Sequence, residues 1–349
     1  MKLRVAVLCG GRSGEHEVSL KSADGIMAAM DPAKYDVQRI LVTKEGRWDP
    51  RPIVPEPGAN PGIDVVFPIV HGTFGEDGTM QGLLELADLP YVGAGVLASA
   101  VAMDKEIQKR LCIERGLPVV DYVVTWRDEF NIHESDIEEI CRRLPFPVFV
   151  KPANLGSSVG ISKAKNCEEL KAALKLAGRF DRKILVERGI TGREFECAVL
   201  GNREPAAAVP CEILPSRDFY DYEDKYVLGA SKTVLPADLA PEQTREIQRL
   251  AVECYRAVEC EGMARVDFFL EAASGKFLIN EINTLPGFTS ISMYPKMWEA
   301  AGLPYAQLLD RLIELALERH RERQATSYHM DARQDTRQDT RQDAQDAGR

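Results

Sequence analysis

Gly262-Met-Ala-Arg-Val-Asp-Phe-Phe-Leu270 and, after the link Ala272-Ala-Ser-Gly275, Lys276-Phe-Leu-Ile-Asn-Glu-Ile-Asn283 form the stretch around which the chain is arranged. Two short apolar-rich runs flank a Gly-containing link, which predicts a β-hairpin. With the turn centred near Ser274, Asp267 lies opposite Glu281 and Arg265 opposite Asn283. Alternation then places these four polar groups on one face with Phe269 and Ile279. Two carboxylates and a carboxamide offer hard oxygen ligands of the kind Mg²⁺ takes while it also holds nucleotide phosphates. A plain solvated hairpin face is the other reading, and a one-residue slip would scatter the group. Asn283-Thr-Leu-Pro-Gly-Phe-Thr-Ser-Ile-Ser292 favours the ligand reading. It is a Pro-Gly turn entering a hydroxyl-rich loop, suited to a backbone that approaches a ligand closely.

Upstream, Phe146-Pro-Val-Phe-Val-Lys-Pro152 reads as a strand ending in a lysine, followed by Gly156-Ser-Ser-Val-Gly160. That loop offers backbone N–H groups and hydroxyls to a phosphate, or else makes an ordinary hairpin turn. An amphipathic helix is predicted from Cys167 to Ala177, and further strands at 184–190, 193–200 and 206–213. Asp218-Phe-Tyr-Asp-Tyr-Glu-Asp-Lys-Tyr226 is dense in charges and phenols without a clear period, which predicts a long surface loop of the kind that closes over ligands. Helices are predicted from Ala240 to Cys260 and from Pro304 to His320. Beyond about residue 324 the repeat Arg333-Gln-Asp-Thr-Arg-Gln-Asp-Thr has no apolar members and is expected to be disordered.

At the N-terminus Leu3 to Leu8 is a buried-strand run, leading to Cys9-Gly-Gly-Arg-Ser-Gly-Glu-His-Glu-Val-Ser-Leu20 and Ala-rich helical sequence. Strand, Gly loop and helix open a doubly wound α/β domain. The loop lacks the GxGxxG dinucleotide fingerprint. A later strand delivers His71-Gly-Thr-Phe-Gly-Glu-Asp-Gly78, read through Gly82 as a ligand-facing loop. Val96 to Arg115 reads as one helical segment carrying Met103-Asp-Lys105.

The 349 residues suffice for two or three subdomains, and a net charge of −10 argues against nucleic acid or an anionic membrane as the main partner. No run of 18 apolar residues occurs, and the chain opens directly on a strand. Neither a membrane span nor a signal peptide is expected. The eight cysteines show no metal spacing and read as reduced thiols of a cytoplasmic protein.

Taken in order, Gly10 to Ser19, His71 to Gly78, Met103-Asp-Lys105, Lys151-Pro152 with Gly156 to Gly160, Tyr220 to Tyr226, Arg265-Val-Asp267 and Asn280 to Asn283 resemble the D-alanine–D-alanine ligases of the ATP-grasp superfamily. The resemblance spans roughly residues 3 to 320. It implies an α/β and α+β chain, an ATP-grasp fold preceded by the doubly wound domain. The parts would be residues 1–100 (substrate binding), 101–190 (central subdomain), 191–323 (metal and catalytic residues) and a disordered tail at 324–349.

The resemblance also implies roles. Lys105 and Lys151 would meet the ATP phosphates under the Gly156–Ser157 loop. Phe149, Ile190 and Phe269 would pack the adenine, with Glu187 bonding the base and Glu194 the ribose. Asp267, Glu281 and Asn283 would hold two Mg²⁺ or Mn²⁺ ions. Arg265 and the Gly287 N–H would form the oxyanion hole. Glu15 would bind the first D-alanine's ammonium, His71 would stand near both substrates, and Ser292 and Met293 would meet the second carboxylate. Glu15, Ser157 and Tyr226 would form a hydrogen-bonded set, with Lys225 over the site. The implied activity is ATP-dependent joining of two D-alanines through an acyl phosphate for peptidoglycan synthesis, by a cytoplasmic homodimer. D-Alanine–D-lactate or D-alanine–D-serine ligation, another ATP-grasp ligation, and a nucleotide-binding regulator without turnover are the alternatives.

Overall fold

The computed structural model describes residues 1–128, 132–156, 159–214 and 232–328. Its N-terminal part contains β1 (Leu3–Gly10), α1 (His16–Ala29), β2 (Tyr35–Val42), β3 (Trp48–Asp49), β4 (Val65–Pro68), α2 (Thr79–Leu86) and α3 (Val96–Met103). The sheet order is β3-β2-β1-β4, with β1 parallel to both β2 and β4. A central parallel strand is covered on both faces, which is why β1 reads as an unbroken apolar run. Val5, Val7 and Cys9 enter one core with α1, while Ala6 and Leu8 enter another beneath α2.

The loop expected from His71 through Gly82 ends early, because α2 already begins at Thr79. The single helical segment expected from Val96 to Arg115 is also broken. Asp104 takes extended backbone and its carboxylate accepts from the N–H groups of Glu106 and Ile107, capping α4 (Lys105–Glu114). A capping aspartate inside an apolar-periodic run restarts the helix on a new axis.

The central part contains β5 (Tyr122–Trp126), α5 (Glu134–Arg143), β6 (Val148–Pro152), β7 (Ser162–Ala164), α6 (Cys167–Ala177) and β8 (Lys183–Arg188). Its antiparallel sheet has the order β5-β8-β6-β7 and shares a core of its own with α5 and α6. Cys141 and Cys167 form a disulfide, against the expectation of reduced thiols throughout. The packing of α5 on α6 brings their Cα atoms to 6.2 Å, a proximity that a separation of 26 residues does not announce. The other six cysteines are buried and free.

The C-terminal part contains β9 (Gly192–Leu200), β10 (Ala206–Ala207), β11 (Cys211–Leu214), β12 (Lys232–Val234), α7 (Pro241–Ala257), β13 (Met263–Glu271), β14 (Phe277–Asn283), α8 (Met293–Ala300) and α9 (Tyr305–Gln324). The strand expected over 206–213 is two strands, and α8 was not foreseen. The predicted final helix runs four residues past His320 to Gln324, so the residue at which the polar tail was set to begin is still helical. The sheet order is β12-β11-β9-β13-β14, with β10 on β9. One face packs on α7, α3 and α4. The other is covered at one end by α8, α9 and the N-terminal sheet, where Ala198, Leu200 and Met263 join the core that contains Val5 and Val7. Arg319 of α9, itself buried, fixes this union by donating to the carbonyls of Tyr91 and Gly93. The uncovered end of that face is polar. Among the described residues no helix is long and apolar enough to cross a membrane.

Candidate active site

The hairpin β13–β14 supplies the polar end. Arg265 pairs with Asn283 and Asp267 with Glu281, as expected. Beyond Asp267 a β-bulge shifts the ladder, so that Phe268 pairs with Ile279 and Phe269 with Leu278. Ile279, expected beside Phe269, is therefore turned into the α7 core and is 1% exposed. One extra residue on a strand reverses every side chain after it. The extra residue is Asn280: its Oδ1 accepts from Lys151 Nζ at 3.1 Å and its carbonyl from Lys109 Nζ at 3.0 Å.

The charges are interlocked. Arg265 donates Nε and Nη2 to the two oxygens of Asp267, each at 2.7 Å, and its Nε lies 3.3 Å from Glu196. Burial opposes the Arg265 charge, but Asp267 and Glu196 outweigh it and hold the pKa well above its usual value. Lys105 Nζ lies 3.2 Å from Glu281 and donates to the Leu155 carbonyl. Glu187 is 2% exposed, with Lys109 Nζ at 2.9 Å and Lys151 Nζ at 2.5 Å. Its burial favours the neutral acid, yet the two lysines prevail and keep its pKa below the ordinary value. This carboxylate is thus committed to lysines.

Glu187 pairs in register with Phe149 on the central sheet, and Glu194 with Phe269 on the C-terminal sheet. Ile190 lies in the connection between β8 and β9. The two sheets meet through Arg188, whose Nη1 donates to Glu271 at 2.7 Å, and through Lys151 with Asn280. Asp267, Glu281 and Asn283 suit a hard divalent cation: two carboxylates and an amide oxygen in adjacent register, with coordination left for phosphate oxygens. Among the described residues no group of three or more His, Cys, Asp or Glu side chains forms a self-sufficient cage.

Next to these groups is a cavity of about 140 Å³ lined by Glu15, His71, Lys105, Gly156, Arg265, Glu281, Asn283, Gly287, Ser292 and Met293. Asp267, Lys151, Phe149, Glu187, Ile190, Glu194 and Phe269 lie outside its wall. Ser157, Lys225 and Tyr226 lie outside the described residues. His71 Nδ1 meets the Leu285 carbonyl at 3.1 Å and Nε2 meets Ser22 Oγ at 3.3 Å. A carbonyl only accepts, so Nδ1 carries the proton. Burial lowers the pKa and keeps the ring neutral. Ser292 Oγ accepts from the Thr289 N–H at 3.0 Å and stands at the start of α8.

A family model described as "D-ala D-ala ligase C-terminus" matches residues 111–314, and its companion for the N-terminus matches 4–57 and 54–94. The chain belongs to the D-alanine–D-alanine ligase family. A D-alanine–D-alanine ligase of Solibacter usitatus is 66% identical over 328 residues, covering 94% of this chain and 99% of that protein. D-alanine–D-alanine ligase A of Escherichia coli is 47% identical, covering 91% and 97%. Among solved structures, the D-alanine–D-alanine ligase of Coxiella burnetii superposes with a TM-score of 0.82 at 44% identity, covering 93% and 96% of the two chains. The D-Ala:D-Ser ligase VanG of Enterococcus faecalis gives the same TM-score at 38% identity, covering 90% and 100%. The fold is ATP-grasp, as the sequence resemblance implied.

Within this ligase-family site, two acids escaped the sequence reading. Glu76 lines the cavity and accepts from the Gly72 N–H at 2.8 Å. Burial, then the neighbouring Glu15, pushes its carboxyl up to about 8. It lay inside a quoted motif but had no assigned partner. Glu196 also lines the cavity and is 7% exposed. Its signal was available: Glu194 and Glu196 alternate with Phe195 and Cys197 on a strand that is apolar from Cys197 to Leu200.

Proposed function

We propose that this chain joins two D-alanines to D-alanyl-D-alanine, with ATP converted to ADP and phosphate. The observation that carries the reading is the pairing of Lys105 with Glu281 and of Arg265 with Asp267, where Lys105, Glu281 and Arg265 line a small cavity closed by Glu15 and the start of α8 and Asp267 stands behind Arg265. The 66% identity to a relative named for this reaction supports the choice of substrates.

A carboxylate oxygen of the first D-alanine takes the γ-phosphoryl group, giving an acyl phosphate and ADP. Lys105 and Lys151 offset phosphate charge, and Asn280 and Glu187 hold Lys151 in place. Phe149, Ile190 and Phe269 pack the adenine, and Glu194 meets the ribose. Asp267, Glu281 and Asn283 hold Mg²⁺ or Mn²⁺, which supplies charge neutralisation at the transferring group. Glu15 binds the first ammonium. The second D-alanine places its carboxylate at Ser292, Met293 and the N-terminal N–H groups of α8. Its deprotonated amine attacks the acyl carbon, Arg265 and the Gly287 N–H stabilise the oxyanion, and phosphate leaves. Neutral His71 orders the loop at Leu285. The work belongs to peptidoglycan precursor synthesis by a cytoplasmic homodimer.

The VanG neighbour makes D-serine the alternative second substrate, because its fold agrees as well as that of the D-alanine ligase. Sequence favours D-alanine. The test is ADP release dependent on D-alanine, with chromatography of products formed from equal D-alanine, D-serine and D-lactate. D-Alanyl-D-alanine is expected to dominate; comparable amounts of another product would overturn the assignment.

A further inference from the structure

Glu196 faces Asp267 directly across the β9–β13 ladder, so its side chain rises on the face that carries Arg265. The neighbours of Glu196 on that strand, Phe195, Cys197, Ala198 and Val199, are 0–1% exposed. A carboxylate in such a setting is costly unless a cation answers it. The Arg265 guanidinium does so from 3.3 Å, through the same Nε that Asp267 holds.

This sharing matters because Asp267 has two claims on it. Both of its oxygens are taken by Arg265. A divalent cation held by Asp267 has to compete with that bidentate pair, and an arginine released without a second anion would be a buried, uncompensated cation. Glu196 is placed to receive it. Contact at Nε leaves the terminal nitrogens of the guanidinium for an oxyanion in the cavity.

We propose that Glu196 is a positioning residue that takes over Arg265 when Asp267 turns to the divalent cation, keeping the guanidinium aimed into the cavity. This rests on the reading of the site as a metal–nucleotide ligase. Without Glu196, Arg265 stays on Asp267, so cation binding weakens and the oxyanion loses its donor.

The test is Mn²⁺ titration of the full chain with a non-hydrolysable ATP analogue, following free Mn²⁺ by electron paramagnetic resonance. Glu196→Gln and Glu196→Asp are each measured alone and with Arg265→Met. The aspartate keeps the charge but withdraws it from Arg265, so both substitutions are expected to weaken Mn²⁺ about tenfold. With Arg265→Met present the same substitutions are expected to change affinity by less than about twofold, because the competitor is gone. In turnover, kcat should fall about tenfold while KM for ATP stays within about twofold. Equal weakening in both backgrounds would mean that Glu196 acts on the cation directly, and unchanged affinity in both would mean that it has no such role; either overturns the proposal. Failure of the unsubstituted protein to bind Mn²⁺ would instead overturn the metal reading, and the proposal with it.

Discussion

The Lys151 ammonium lies 2.5 Å from the Glu187 carboxylate, and both side chains are less than a tenth exposed. Lys109 approaches the same carboxylate from the other oxygen. One buried anion therefore holds two buried cations, and one of these is a proposed phosphate-binding group. Glu187→Gln leaves both lysines uncompensated and is expected to cost about 3–5 kcal/mol of stability. A thermal scan should show a fall of several degrees together with a higher KM for ATP. An unchanged midpoint would mean that the lysines find other partners.

Substitution at the hairpin should separate folding from chemistry. Asp267→Asn and Glu281→Gln keep shape and lose one charge each, so both variants should still fold, with thermal midpoints lowered by a few degrees because Arg265 or Lys105 loses a paired carboxylate. Turnover should fall on the order of 100-fold or more, since loss of even an outer contact to a metal site costs 10–100-fold. ADP release at limiting Mg²⁺ is the measurement, and near-normal rates in both variants would remove these residues from the ligand set.

Gly287 has a steric reason to be glycine, for a Cβ there would stand 2.7 Å from Ser292 Oγ. Gly287→Ala is therefore expected to displace Ser292 at the head of α8. KM for the weaker-bound D-alanine should rise about tenfold, with KM for ATP within about twofold, because a small misplacement at one subsite is felt only there. Equal changes in both constants would point to a general distortion.

Glu76 makes stability depend on pH. Burial, and then the charge of Glu15, pushes its carboxyl up to about 8 in the folded protein, against an ordinary 4.5. The folded state holds the proton more tightly, so unfolding between these values releases a proton and rising pH favours the unfolded chain. This contribution is full below about pH 4.5 and is lost as pH rises through 8. Glu76→Gln should flatten the decline of the thermal midpoint between those limits. A variant with the same slope as the unsubstituted protein would show that another group is responsible.

Much of this was legible in the sequence because single residues carried it. The run through β1 announced a strand buried on both faces, and the alternation around Arg265 and Asp267 gave their pairing with Asn283 and Glu281 correctly. The bulge was invisible, because an extra Asn280 between apolar residues looks like ordinary alternation until the partner strand is in place. Asp104 hid in a helical run, since its capping role depends on which way the chain turns after Met103. The Cys141–Cys167 pair and the hold of Lys109 on Glu187 are set by how distant segments pack, and no local pattern encodes that.

The N-terminal and C-terminal sheets bury their side chains in one shared core, whereas the central sheet has its own. The central sheet reaches the rest partly through ion pairs and hydrogen bonds such as Arg188 with Glu271 and Lys151 with Asn280. Polar joints can trade partners with water at little cost, while a common apolar core cannot be parted without exposing it. Under denaturant the two outer sheets are therefore expected to come apart together, and the central sheet to part from them at lower cost.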